Sequence, residues 1–400
     1  MHPHTGLRLG RLFGIEIAVD YSWLFIAVLM TWSLTAAFSR WHPDWPGATS
    51  LVIALAATLL FFASVLVHEL AHSLVARRFG LEVSSITLFL FGGVSNIERE
   101  PSSAKAEFLT AVVGPITSIV LGVILLVLAS VAGGLPPGVA ADRTAALASF
   151  GPAATLLTWL GSINVVVGVF NLIPGFPLDG GRILRSAIWG ATRDLHAATR
   201  WASAVGQAIG WCFVVLGVAI AFGANVPFFG RGLVAGLWLA FIGWFLSSAA
   251  AQSWYRQLAH EALEGVPVSR IMRPPGPMVR GDTDLTTFVN EWLMRSEDHA
   301  FLVEDDAGRP VGLVTLSDVR GAPRDRWSQL RVDALMTPIG RLTTTSPRED
   351  LAVALDKLAR TDVGQLPVVD GGQLVGMLLR RDVARWIELH LQGPARRYAH

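Results

Sequence analysis

The apolar positions of this 400-residue chain fall into long unbroken runs in its first 250 residues, and into short alternating ones after that. Runs at about 17–38, 51–76, 109–131, 154–172, 204–222 and 233–249 are each near the length that crosses a bilayer as a helix, roughly 20 residues. They predict six membrane spans. Between the second and third lies 83–97, rich in β-branched and aromatic residues and too short to cross as a helix. A strand or hairpin re-entering the protein is the expectation there, with a plain interfacial loop as the alternative, since non-helical backbone at membrane depth needs protein or water around it. From about residue 252 the charge density is that of a soluble domain.

Composition agrees with this division. The chain is 52% hydrophobic and only 16% charged, with a mean hydropathy of +0.49, which a soluble protein of this size would not carry. The net charge of +1 and the lack of a basic, aromatic-laced patch leave nucleic acid out of the expected partners. A single cysteine, Cys212, rules out an internal disulfide and a cysteine-rich zinc site. Arg8 and Arg11 precede the first run, but its length and its poor cleavage site, Thr35-Ala36-Ala37, favour a retained helix over a secretory signal. Basic residues crowd the loops on one side (Arg77, Arg78, Lys105, Arg182, Arg193) and are sparse on the other (Arg40, Arg143, Arg231). Both ends are therefore expected in the cytoplasm of a multi-pass cell-membrane protein.

Two polar interruptions stand out in the runs. His68-Glu69-Leu70-Ala71-His72 lies near the end of the second. On a helix His68 and His72 share a face one turn apart, so both rings can reach one ion, and Glu69 on the neighbouring face can act on a water without ligating. Ionisable groups are costly at membrane depth, so function is the default reading. The second interruption, Asn171 to Arg182, carries Pro174, Pro177, Asp179, Gly180 and Gly181. Asp179 falls at the same end of its span as the histidines and is the favoured third ligand, leaving a fourth position for water. Glu82 and Glu98 are competing carboxylates, and a turn-capping role for Asp179 is the structural alternative. Gly114-Pro115, Ser118 and Gly122 in the third run are read as close helix packing without chemistry.

The motif at 68–72, the Gly114-Pro115 helix and Asn171…Pro174…Pro177-Leu178-Asp179-Gly180 together resemble the site-2 protease family of intramembrane zinc metalloproteases, over about residues 6–250. The resemblance implies Zn2+ held by His68, His72 and Asp179, with Glu69 as catalytic base and Asn171 as a polar group near the substrate; a helix-capping role for Asn171 is equally open. The implied reaction is cleavage of a transmembrane segment of another protein. Such a segment must unwind before attack, and an edge of the 86–94 strand, with Thr87 and Phe89, is expected to hold it by strand addition.

The tail repeats itself. Val268, Ile271, Met272 and Pro274 recur 64 residues later as Val332, Leu335, Met336 and Pro338, and Gly312, Asp318 and Val319 recur as Gly376, Asp382 and Val383. A fixed-period duplication means two copies of one supersecondary unit. The copies resemble a CBS domain pair, which implies an α/β module, adenine nucleotide (ATP, ADP or AMP) as ligand, and a route to homodimerisation. Thr315 and Asp318 match the family's ribose-binding pattern. The second copy keeps Asp382 but has Leu379 where the hydroxyl belongs, so one competent site is expected, on Thr315 and Asp318. The expected architecture is thus a polytopic α-helical membrane protein with a small re-entrant β element, followed by a cytoplasmic α/β tandem: 1–251 protease, 252–265 linker, 266–328 and 329–391 the two repeats, and 392–400 a tail. A nucleotide-gated channel or transporter and a catalytically silent scaffold are the rivals; neither requires the whole motif.

Overall fold

The computed structural model describes residues 6–89, 92–97, 101–133, 149–226, 230–296, 298–361 and 363–395, in two compact units divided near residue 257. In the first unit the long apolar helices are α1 (Tyr21–Trp41), α2 (Gly47–Arg78), α3 (Ala104–Val131), α4 (Pro152–Asn171), α6 (Leu195–Ala221) and α7 (Leu233–Glu261), with a shorter α5 (Asp179–Thr192) between α4 and α6. Six are long and apolar enough to span a bilayer, as the hydrophobic runs predict.

The first helix starts later than its apolar run. Residues 17–20 belong to a strand, because Ile15, Ile17 and Val19 alternate with smaller or polar residues, and Asp20 then caps the helix by accepting from Ser22 N at 2.9 Å. The β element is correspondingly larger than a hairpin. Strands β1 (Gly6–Leu12), β2 (Ile15–Asp20), β3 (Val83–Phe89) and β4 (Gly92–Ile97) form one sheet in that order; β2 and β3 are parallel and the other pairs antiparallel. Ile15, Ile17, Val83 and Ile86 pack on Leu70 and Ala76 of α2. The Arg77 guanidinium donates to Phe13 O (2.6 Å) and Val83 O (3.0 Å), so the end of α2 holds both halves of the sheet. That fixes β4 beside residue 69.

Helices α3 and α4 approach closely through glycine. A Cβ on Gly122 would lie 2.7 Å from Gly161 O, and one on Gly168 would lie 2.8 Å from Pro115 O. Helix α7 continues to Glu261, through most of the 252–265 stretch read as a linker, since residues 252–261 hold neither glycine nor proline.

The second unit is a duplicated α/β module. Strands β5 (Val279–Arg280), β6 (Ala300–Glu304), β7 (Pro310–Thr315) and β8 (Thr337–Pro338) make one sheet; β9 (Gln365–Asp370) and β10 (Gln373–Leu379) form a hairpin in the other half. Thr337 pairs with Leu313, and its 64-residue counterpart, Arg273, pairs with Met377. Each repeat therefore lends the start of its chain to the sheet of the other, which makes the pair one folding unit. Each half has its own core, one built on Leu358, Leu366 and Leu378, the other on Phe288, Val303 and Val314.

Candidate metal centre

Helix α2 presents His68 and His72 one turn apart, 6% and 5% exposed, and the start of α5 brings Asp179 to them. His68 Nε2 and His72 Nε2 lie 3.1 Å apart, and Asp179 Oδ2 is 3.1 Å from the first and 3.3 Å from the second. These three converge as a group able to hold a metal ion. Asp179 reaches them because the chain doubles back sharply after α4. A Cβ on Gly180 would strike the Leu172–Ile173 backbone, and one on Gly181 would strike Gly175 and Phe176, so only glycine fits either place. Phe176 N donates to Ala202 O of α6 at 3.3 Å, fixing the loop from the other side.

The imidazoles are oriented from behind. His72 Nδ1 donates to Thr110 O at 2.6 Å, which leaves its Nε2 as a bare lone pair facing the other two donors. His68 Nδ1 lies 2.8 Å from Ser118 Oγ. Both partners are on α3, and between them a Cβ at Gly114 would lie 2.8 Å from His68 Nε2 and closer still to His72. Reading Gly122 as a packing residue agrees with the structure. Gly114 and Ser118 need correction: they are packed so closely because they are the wall and the hydrogen-bond partner of the histidines.

Glu69 sits on the adjoining face, half-buried under β4. Its Oε2 accepts from Ser95 Oγ at 2.9 Å, Ser73 Oγ lies 3.2 Å from that same hydroxyl, and a Cβ on Gly93 would press on Glu69 Cγ. Ser95, Ser118 and the carbonyl of Thr110 carry no motif that singles them out in the sequence.

The remaining candidates fall elsewhere. Asn171 is the last residue of α4, half-buried, without a side-chain hydrogen bond among the described residues. Thr87 lies in the interior of the sheet, paired to Ala18 on one side and Val94 on the other; Phe89 pairs with Gly92. Glu82 is exposed in the turn before β3, outside the histidine–aspartate group, and Glu98 lies outside the described residues. In the second unit Thr315 and Asp318 satisfy each other in a capping box: Asp318 Oδ2 accepts from Thr315 N and Oγ1, both at 2.7 Å. Asp382, 8% exposed, is ion-paired with Arg273. A cavity of about 230 Å3 opens beside Arg273, lined by Arg273, Trp292, Arg295, Phe301, Leu379 and Arg381 among others, and by none of Thr315, Asp318 and Asp382.

Known proteins resemble the chain along nearly its whole length. Residues 56–217 match Peptidase family M50, and residues 268–325 and 332–389 each match the CBS domain. A Mycobacterium tuberculosis protein named "Putative zinc metalloprotease Rip3" is 33% identical over 385 residues, 96% of this chain and 93% of that one. The chain belongs to peptidase family M50. It is a membrane-spanning zinc metalloprotease of the site-2 protease type with a CBS pair. A second relative, zinc metalloprotease MJ0392 of Methanocaldococcus jannaschii, is 25% identical over 387 residues, 95% of each chain. The solved structure of a site-2 protease from that organism covers 62% of this chain and 95% of its own, at 25% identity and a TM-score of 0.40.

Proposed function

We propose that His68, His72 and Asp179 hold the catalytic zinc of this M50 protease and that Glu69 is its general base. The observation that carries this is the convergence of three lone-pair donors 3.1–3.3 Å apart. Ligands on bonds of about 2.0–2.1 Å around a tetrahedral ion stand about 3.3 Å from one another, so the group fits zinc without rearrangement. When bound, zinc supplies a Lewis acid that polarises the scissile carbonyl and makes water more acidic. Glu69 takes the proton of the attacking water and delivers it to the departing amide nitrogen. Ser95 keeps the Glu69 carboxylate turned toward the histidines while its other oxygen stays available.

The substrate is an unwound transmembrane segment of another protein. It adds to β4, the outer strand of the sheet, next to Ser95 and hence to Glu69. Thr87 and Phe89 support this strand from β3, and Asn171 lines the approach from the end of α4. The concentration of Arg and Lys on one set of loops orients both termini and the CBS pair toward the cytoplasm.

The CBS pair binds an adenine nucleotide and thereby alters proteolysis. The cavity beside Arg273 offers two aromatic rings for a base and three guanidinium groups for phosphates. Its lining comes mainly from the first repeat and includes none of Thr315, Asp318 and Asp382, although Arg273, the ion-pair partner of Asp382, borders it. Nucleotide titration of the full-length protein, followed by zinc content and cleavage of co-expressed single-span proteins with and without nucleotide, tests the reading. One zinc per chain, cleavage that depends on Glu69 and a rate that changes with ATP or AMP support it. Absent binding at millimolar nucleotide removes the regulatory part, leaving the pair as a homodimerisation module.

A further inference from the structure

Among the described residues of the membrane unit, Glu107 and Arg185 are the only buried charged side chains apart from histidines: they are 1% and 7% exposed. They pair with each other. Arg185 Nε donates to Glu107 Oε1 at 2.7 Å, and a terminal guanidinium nitrogen meets the same oxygen. Withdrawing two charges from solvent is costly, and an apolar pair of similar volume commonly serves stability as well or better. A buried pair at such a place can fix register between the elements that carry it.

Those elements are the two that meet α2 at the metal centre. Glu107 lies on the same stripe of α3 as Thr110, Gly114 and Ser118, all buried, and Thr110 follows it by three residues. That stripe supplies the carbonyl behind His72, the hydroxyl behind His68 and the glycine wall between them. Arg185 lies on α5, the helix that opens with Asp179. Its guanidinium carbon also sits 5.5 Å from the centre of the Phe176 ring, in the loop that turns the chain back toward Asp179. A slip of α5 along α3 would move Asp179 relative to both imidazoles while leaving the histidines' own partners in place.

We infer that Glu107 and Arg185 are positioning residues of the metal centre: their buried ion pair sets the register of α5 on α3 and so holds Asp179 at ligand distance from His68 and His72. The inference rests on the assignment of that trio as the zinc ligands. The bifurcated contact needs the planar guanidinium fork, which an ammonium cannot reproduce. Loss of the pair therefore loosens the Asp179 position without removing any donor atom, and supporting residues of this kind change metal affinity by roughly 10–100-fold.

The test uses full-length protein in detergent with two variants, Arg185→Lys and the double substitution Glu107→Leu/Arg185→Met, beside Asp179→Asn. Zinc affinity is measured by chelator competition. The visible absorption of the Co2+-substituted protein reports ligand geometry, and helical circular dichroism with thermal unfolding reports the fold. Both pair variants are expected to stay folded, to bind zinc roughly 10–100-fold more weakly, and to show a shifted Co2+ spectrum. Wild-type affinity and spectrum in a folded Arg185→Lys or double variant overturn the inference. Failure of both to fold makes the pair a folding element and overturns it too. Undiminished zinc binding by Asp179→Asn refutes the ligand assignment itself, a separate outcome.

Discussion

Two sets of motif carboxylates in this protein live in opposite surroundings. Asp179 has its Oδ2 turned toward two imidazole nitrogens whose other ring nitrogens are already engaged, so the three donors look at one another with nothing from the backbone between them. Asp318 is satisfied by its own helix start, accepting from Thr315 N and Oγ1. Asp382, its repeat counterpart, pairs at long range with Arg273 through Oδ1, while its Oδ2 is buried without a hydrogen-bond partner among the described residues. A donor group whose needs are met locally is a structural cap until a ligand displaces that arrangement. One whose lone pairs converge on a common point is arranged for a cation. The contrast separates the histidine–aspartate group, whose lone pairs converge, from the CBS pair, whose cavity is lined by none of the motif residues Thr315, Asp318 and Asp382.

The largest effect that sharpens the contrast comes from Asp179→Ala. Removing one of the three proposed ligands is expected to lower zinc occupancy well below one per chain and to abolish cleavage, read by metal analysis of purified protein and by substrate processing in co-expression. Zinc and cleavage that both survive would move the third ligand elsewhere. Ser118→Ala keeps every ligand but frees the His68 ring. It should weaken zinc binding by roughly 10–100-fold while the protein stays folded, measured by chelator competition.

A smaller change probes β4. Val94→Pro is expected to reduce cleavage about tenfold or more with zinc retained, and Val94→Ala to leave it nearly unchanged, because proline removes a backbone donor from the strand whereas alanine only trims a side chain. Equal effects of the two would argue against strand addition. The smallest effect is in the CBS pair. Asp318→Ala should cost about 1 kcal/mol of that unit's stability through the lost cap, seen in its unfolding transition, with cleavage unaltered in the absence of nucleotide.

The convergence of His68, His72 and Asp179 was largely legible because its signal is local in two places. His68 and His72 are four residues apart, a separation that any helix turns into a shared face, and Asp179 follows a proline-broken span end that is easily seen in an apolar run. What stood behind the histidines was not legible. Ser118 and Gly114 look like packing residues in sequence since closeness to a backbone and closeness to a ligand ask for the same small side chains. Thr110 acts through its carbonyl, which every residue has. The end of β2, residues 17–20, merged into the first apolar run, because four residues ahead of a hydrophobic helix carry no period long enough to tell strand from helix. In the tail the 64-residue repeat gave the duplication directly, but the Arg273–Met377 strand pairing and the Arg273–Asp382 ion pair join residues more than 100 positions apart.

The central claim is that zinc is held by the trio while Glu69 moves the proton, and Glu69→Gln divides the two roles. Zinc content and cleavage are measured in parallel on this variant and the wild type, with a single-span membrane protein that the wild type processes. The account predicts one zinc per chain in both and a fall in cleavage of about 10²–10⁴-fold or more in the variant, since the amide leaves the ligands in place but accepts no proton. Loss of zinc from the variant, or cleavage near the wild-type rate, would contradict it.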